Sequence, residues 1–115
     1  MKYTLPWPPS TNNAYAAVNG RKIKSKTARA YAADVEHSMY GQDLDCDWLH
    51  NARLAVTLDL YPPNRRAFDI ANREKLAVDA CFKVLGLDDA SIDWLLIERH
   101  EPEPHGRIVL TVVPL

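Results

Sequence analysis

The sequence contains no run of about 18 consecutive apolar residues, so it offers no helix long enough to cross a bilayer. Its opening, MKYTLPWPPS, carries one lysine but lacks the apolar core of a secretory signal, and none is expected. Cysteine is scarce. Cys46 and Cys81 are the only two, too few for a disulfide framework, so the expectation is a pair of reduced thiols in a cytoplasmic protein. The histidines, His37, His50, His100 and His105, show neither His-Glu-x-x-His nor paired Cys/His spacing, which argues against a zinc site. Internal repeats, low-complexity tracts and interdomain linkers are also missing. A chain of 115 residues with 47% apolar and 25% charged residues then reads as one soluble globular domain.

Acidic residues are absent from the first 33 positions, where Lys2, Arg21, Lys22, Lys24, Lys26 and Arg29 all fall. The acids begin at Asp34, and the net charge of −1 conceals this division. A basic third on a nearly neutral chain points to a surface that meets a polyanion, nucleic acid being the obvious one. The same lysines equally suit a solvated hairpin. On a strand, Lys22, Lys24 and Lys26 would share one face, a spacing that tracks a phosphate backbone. Asn12, Asn13 and Tyr15 can hydrogen-bond phosphates or stack on bases, or simply close a loop.

The pattern of periodicity predicts the order β-ββ-α-β-α-β-β. A first strand, KYTLPW, is stopped by prolines that cannot donate to a ladder. Asn19-Gly20 is a favoured two-residue hairpin turn between AAV and KIK. A helix follows from Ser25 or Lys26, with Ala28, Tyr31, Ala32, Val35 and Met39 on one stripe. The segment DCDWLH reads as a surface loop anchored by Trp48 and Leu49. Residues 52 to 61 alternate as a strand, and a second helix covers about 70 to 85 before Gly86. Two strands, SIDWLLIERHE and GRIVLTVVP, complete the chain. The predicted fold is α+β, a single domain with a mixed sheet of about five strands packed with two helices.

The second helix carries the chemistry. Asp69, Asn72, Lys75 and Asp79 fall at steps of three, three and four, a polar stripe on a helix otherwise lined by Ile70, Ala77, Val78, Cys81, Phe82 and Leu85. A plain reading makes Asp69 a helix cap and Lys75–Asp79 an ordinary i, i+4 pair. The other reading brings in Asp88 and Asp89, which stand just before the next strand. If the topology returns them to Asp69, carboxylates, an amide and a lysine meet. That donor set suits Mg²⁺ and phosphodiester cleavage, with Arg65 and Arg66 holding neighbouring phosphates.

Three blocks together resemble the RusA-type Holliday-junction resolvases: LPWPPSTNNAY near the N-terminus, Asp69-Ile70-Ala71-Asn72 with Lys75 and Asp79-Ala80, and Leu87-Asp88-Asp89-Ala90. The blocks keep the family's order and approximate spacing over nearly the whole chain. The resemblance implies a homodimeric, Mg²⁺-dependent endonuclease of phage or prophage type. It would bind four-way DNA junctions and nick opposed strands symmetrically in recombination or repair. It also implies Asp69, Lys75 and Asp89 as catalytic residues. Asp69 and Asp89 would ligate the metal with Asp88 assisting, and Asn13, Tyr15, Arg21, Lys22, Lys24, Lys26, Arg65, Arg66 and Asn72 would contact DNA.

The chain departs from the pattern at Ala71, where the family block Asp-x-Asp-Asn carries its second aspartate. A methyl group cannot bind a cation. Three accounts stand: a deliberate inactivating change, natural drift to a junction binder that does not cleave, or recruitment of Asp88, Asn72 or Asp79. The alternative function is therefore a non-catalytic, branched-DNA-binding dimer.

Overall fold

A computed structural model describes residues 1–10 and 26–115 in full, and the backbone of 15–18 and 21–24. Its strands are β1 (Lys2–Pro6), β2 (Tyr15–Val18), β3 (Arg21–Lys24), β4 (Leu54–Tyr61), β5 (Ile92–Arg99) and β6 (Arg107–Pro114). The helices are α1 (Lys26–Met39) and α2 (Ala71–Leu85), with short 3₁₀ turns at Asp47–Leu49 and Asp89–Ser91. The predicted element order holds throughout.

The main sheet has four strands in the order β1-β6-β4-β5, not the five expected, and β2–β3 form a separate two-stranded sheet. The hairpin strands pair with each other from Tyr15 opposite Lys24 to Val18 opposite Arg21. The proline-rich stretch before them lacks the backbone donors that would carry β1's ladder onward. The Asn19-Gly20 turn and Ser25 lie outside the described residues.

β1 and β4 each pair antiparallel with β6, while β4 and β5 run parallel. Parallel neighbours need a crossover, and α2 supplies it. Leu54, Val56, Leu58 and Leu60 of β4 are buried, as are Ile108, Leu110 and Val112 of β6 and Tyr3 and Leu5 of β1. Period-two alternation sends these side chains to one face, which both helices cover. The helices contribute Ala28, Tyr31, Val35 and Met39 from α1, with Leu76, Ala77, Cys81, Phe82 and Leu85 from α2. The Tyr31 hydroxyl donates to the Pro6 carbonyl at 2.7 Å and fixes α1 against the end of β1. The opposite face of the sheet carries Thr57, Asp59 and Tyr61, which are half-buried.

Gly86 ends α2 in the left-handed conformation at φ 70°, and the Leu87 N–H returns to the Phe82 carbonyl. This is the helix stop that the sequence predicts at that glycine. The DCDWLH segment differs from expectation. Leu49 is buried, but Trp48 is exposed, and Cys46 lies inside with its thiol donating to the Leu85 carbonyl at 3.5 Å. A 3₁₀ turn has three residues per turn, so Cys46 and Leu49 share its inner side and Trp48 faces out.

Phe82 is among the largest fully enclosed side chains. Phe82→Ala is expected to lower unfolding stability by about 3–5 kcal/mol, read from urea denaturation. A loss below about 1 kcal/mol would mean that the helix–sheet interface does not carry the core.

Candidate active site

β4 ends at Tyr61, and a loop carries the chain to Asp69 at the mouth of α2. One Asp69 carboxylate oxygen accepts the Ala71 N–H at 3.0 Å, and the Asp69 carbonyl accepts the Asn72 N–H at 3.0 Å. Asp69 thus closes the free amides of the helix start, as its position predicts. Ala71 is the first residue of α2 and is exposed. Lys75 and Asp79 form their i, i+4 ion pair at 3.4 Å.

At the other end of α2, an Asp88 carboxylate oxygen accepts the Ala90 N–H at 3.0 Å, and Asp89 opens the 3₁₀ turn that leads into β5. Asp89 lines a groove of about 340 Å³ with Glu74, Lys75 and Asp79 of α2 and with Trp94 and Leu95 of β5. Burial pushes the Glu74 carboxyl up, Lys75 opposes the shift and Asp79 adds to it. Sequence reasoning missed Glu74. Its position three residues after Ala71, on the same helical face, was the available signal.

The topology separates what the sequence left open. Asp69 follows the end of β4, whereas Asp89 precedes the start of β5, and these strands are parallel. The two carboxylates therefore stand at opposite ends of α2, a helix roughly 20 Å long. Asp89 meets Lys75 and Asp79, while Asp69 does not line their groove. Among the described residues, one group of three potential metal donors lies within mutual reach, and it is Asp59, Glu98 and His100.

The Asp69 end is basic and aromatic. Arg65 and Arg66 are exposed, and Arg65 pairs with Glu101 at 2.9 Å. The Arg99 guanidinium lies 4.3 Å from the Phe68 ring centre and donates to the Phe68 carbonyl at 2.7 Å. Arg73 stands 5.6 Å from the Trp7 ring and 5.7 Å from Phe68, and donates to the Pro8 carbonyl at 2.9 Å. Burial lowers the Arg73 pKa, and its Nε is enclosed without a hydrogen-bond partner. Trp7, Arg66, Phe68 and Arg73 line a hollow of about 500 Å³ beside Asp69. Arg73 and Arg99 were not singled out from sequence, because only the fold brings Trp7 and Pro8 to Arg73 and the end of β5 back to Phe68.

The remaining candidates divide by position. Asn72 is half-buried in the first turn of α2. Lys26 is exposed at the start of α1, so it does not extend the strand that carries Lys22 and Lys24. The helix begins one residue too early for the three lysines to share a strand face. Tyr15 lies on β2 and Arg21, Lys22 and Lys24 on β3, and their side chains, like Asn13, lie outside the described residues. Burial pushes the Cys46 thiol up and the Cys81 thiol up to about 12, which removes both as nucleophiles near neutral pH. Among the described residues, no helix is long and apolar enough to cross a membrane.

Comparison with known proteins identifies the family. Residues 6–113 match the family model described as endodeoxyribonuclease RusA. Over 113 residues the chain is 31% identical to the crossover junction endodeoxyribonuclease RusA of Enterobacteria phage 82, covering 97% of this chain and 92% of the relative. The proteins of the same name from Escherichia coli (strain K12) and Shigella sonnei (strain Ss046) show the same identity and coverage. With the family model matching nearly end to end, and relatives 31% identical over 97% of its length, the chain belongs to the RusA family of endodeoxyribonucleases.

Proposed function

We propose that the chain works as a homodimeric, Mg²⁺-dependent endonuclease on four-way DNA junctions, nicking opposed strands in recombination or repair in the cytoplasm. Support comes from relatives named as crossover junction endodeoxyribonucleases, and from one observation about β5. This strand is an edge of the sheet, eight residues long, and its centre reads Trp94-Leu95-Leu96-Ile97. Trp94, Leu95 and Leu96 are 48%, 43% and 44% exposed. Edges of this length are normally blunted by proline, lysine or a covering element, and among the described residues none of these stands at the centre of β5. A second copy of the same strand, antiparallel to the first, covers it and obeys two-fold symmetry.

Such pairing brings the start of one β5 to the end of the other. Asp89 precedes the start, and Arg99 at the end holds Phe68, the neighbour of Asp69. Asp69 of one subunit then faces Asp89 of the partner subunit, and the acidic end of each chain meets the basic end of the other. A single chain does not gather the Mg²⁺ donors among its described residues, whereas the pair supplies all-oxygen ligands from Asp69 and the partner's Asp89, with Asp88 beside it. When bound, the ion polarises the phosphate and lowers the pKa of its water. Lys75 offsets charge that develops on the scissile phosphate. Arg65, Arg66, Arg73 and Arg99, together with Lys26 and the hairpin cations, hold flanking phosphates. Asn72 and Tyr15 with Asn13 complete the strand contacts.

Gel-shift titration of a synthetic four-way junction tests the reading. Binding is expected to exceed that to a duplex of equal length, and to fall about 10³-fold between roughly 50 and 200 mM salt. Binding that is indifferent to salt, or no tighter than to duplex, overturns it. Ala71 favours a second reading, a branched-DNA-binding dimer without cleavage. Junction binding with no Mg²⁺-dependent nicking selects that one.

A further inference from the structure

Away from α2, three donor side chains converge on the face of the sheet opposite the core. Strand alternation puts Glu98 and His100 on the same side, and the in-register pairing of β4 with β5 sets Asp59 beside Glu98. The His100 N–H bonds the Leu60 carbonyl at 2.8 Å, which extends the ladder one residue past β5 and fixes that backbone. His100 Nε2 lies 2.7 Å from an Asp59 oxygen and 3.7 Å from a Glu98 oxygen. One donor atom from each residue lies within 4.8 Å of the other two. Tyr61 stacks on the imidazole at 4.8 Å with the rings 14° apart, so the ring cannot swing freely from the carboxylates. Among the described residues, no lysine or arginine forms an ion pair with Asp59 or Glu98. The nearby Arg107 guanidinium lies over Tyr61 and pairs with Glu103 instead. Two carboxylates therefore share one imidazole, on a rigid support, with Nε2 aimed between them.

We propose that Asp59, Glu98 and His100 bind a divalent transition-metal ion of the Zn²⁺ type, at a site separate from the Mg²⁺ position. One imidazole nitrogen and two carboxylate oxygens make a three-ligand set that leaves a fourth position for water. An imidazole suits Zn²⁺ and its neighbours, whereas Mg²⁺ takes oxygen donors. The ion takes the place of the hydrogen bond between His100 and Asp59, with Nε2 unprotonated and its lone pair on the metal. Asp59 belongs to β4 and Glu98 and His100 to β5 and its extension, so the ion clips the edge strand to its neighbour. The residue classes are ordinary. It is the strand register that assembles them, which is why no Cys/His spacing marks the site in the sequence.

The test uses the full chain after chelator treatment. Zn²⁺ is titrated by calorimetry, and Co²⁺ is followed by its visible absorption. The expected result is one ion per chain with a Kd of about 1 μM or tighter, and a melting temperature that rises with free Zn²⁺. Glu98→Gln and His100→Gln are each expected to weaken binding at least about tenfold and to change the Co²⁺ spectrum. Glu98 is exposed, so Glu98→Gln keeps the fold even if the histidine variant does not. His37→Gln, which alters an exposed histidine on α1, is expected to leave both readouts unchanged. Unaltered affinity in Glu98→Gln, a Co²⁺ spectrum indifferent to His100, or loss of binding in His37→Gln overturns the proposal.

Discussion

Ala71→Asp is expected to raise Mg²⁺-dependent nicking of a synthetic four-way junction by about 10- to 100-fold, the scale of effect that metal-site partners carry. Position 71 is the first residue of α2, it is exposed, and the methyl group there offers no oxygen. An added carboxylate would stand beside Asp69 and on the face that carries Glu74 and Lys75. The change should not cost stability, because a negative charge at a helix N-terminus is favoured by the dipole. Junction affinity measured without divalent ions is expected to change far less than nicking, since one added charge leaves the arginines around Phe68 in place. Nicking that does not rise would show that a missing ligand at 71 does not limit this chain, and would turn attention to Asp79, Asp88 or Asn72.

Mixing two dead variants in the Ala71→Asp background gives the second large effect. Asp69→Asn and Asp89→Asn should each abolish nicking as homodimers. If each site takes Asp69 from one subunit and Asp89 from the partner subunit, a mixed dimer holds one site with both carboxylates and one with neither. Unfolding and refolding the two together makes about half of the dimers mixed, so roughly a quarter of the sites become whole. Nicking should return to about that level, from nothing in either variant alone. A site built within one chain predicts no recovery at any ratio. Leu96→Asp places a charge in the middle of the exposed strand and should prevent the recovery by keeping the chains monomeric.

Much of the molecule is legible without coordinates. Alternation in residues 54–60 and the stripe Ala28, Tyr31, Val35, Met39 mark the buried faces, because burial follows period two on strands and 3.6 on helices. Gly86 reads as the end of α2 because a left-handed residue is needed there. The blocks around Asp69, Lys75 and Asp89 identify the family, and the same blocks expose Ala71 as the departure. Asp69 as a cap and Lys75–Asp79 as a pair also follow from local spacing alone, and the structure has both.

Interactions between distant segments required the fold. Strand pairing is a non-local choice: the prolines after β1 mark where its ladder stops, but which strands the hairpin joins is decided by the fold. Neither does the parallel run of β4 and β5, which parts Asp69 from Asp89 within one chain. That same pairing gathers Asp59, Glu98 and His100 from segments some 40 positions apart, and carries Arg99 back to Phe68. Side-chain periodicity is written in neighbours along the chain, and it determines which residues face inward. Register and strand direction are set by the whole sheet at once, and they decide which carboxylates lie within reach of one another and which strand is left at the edge.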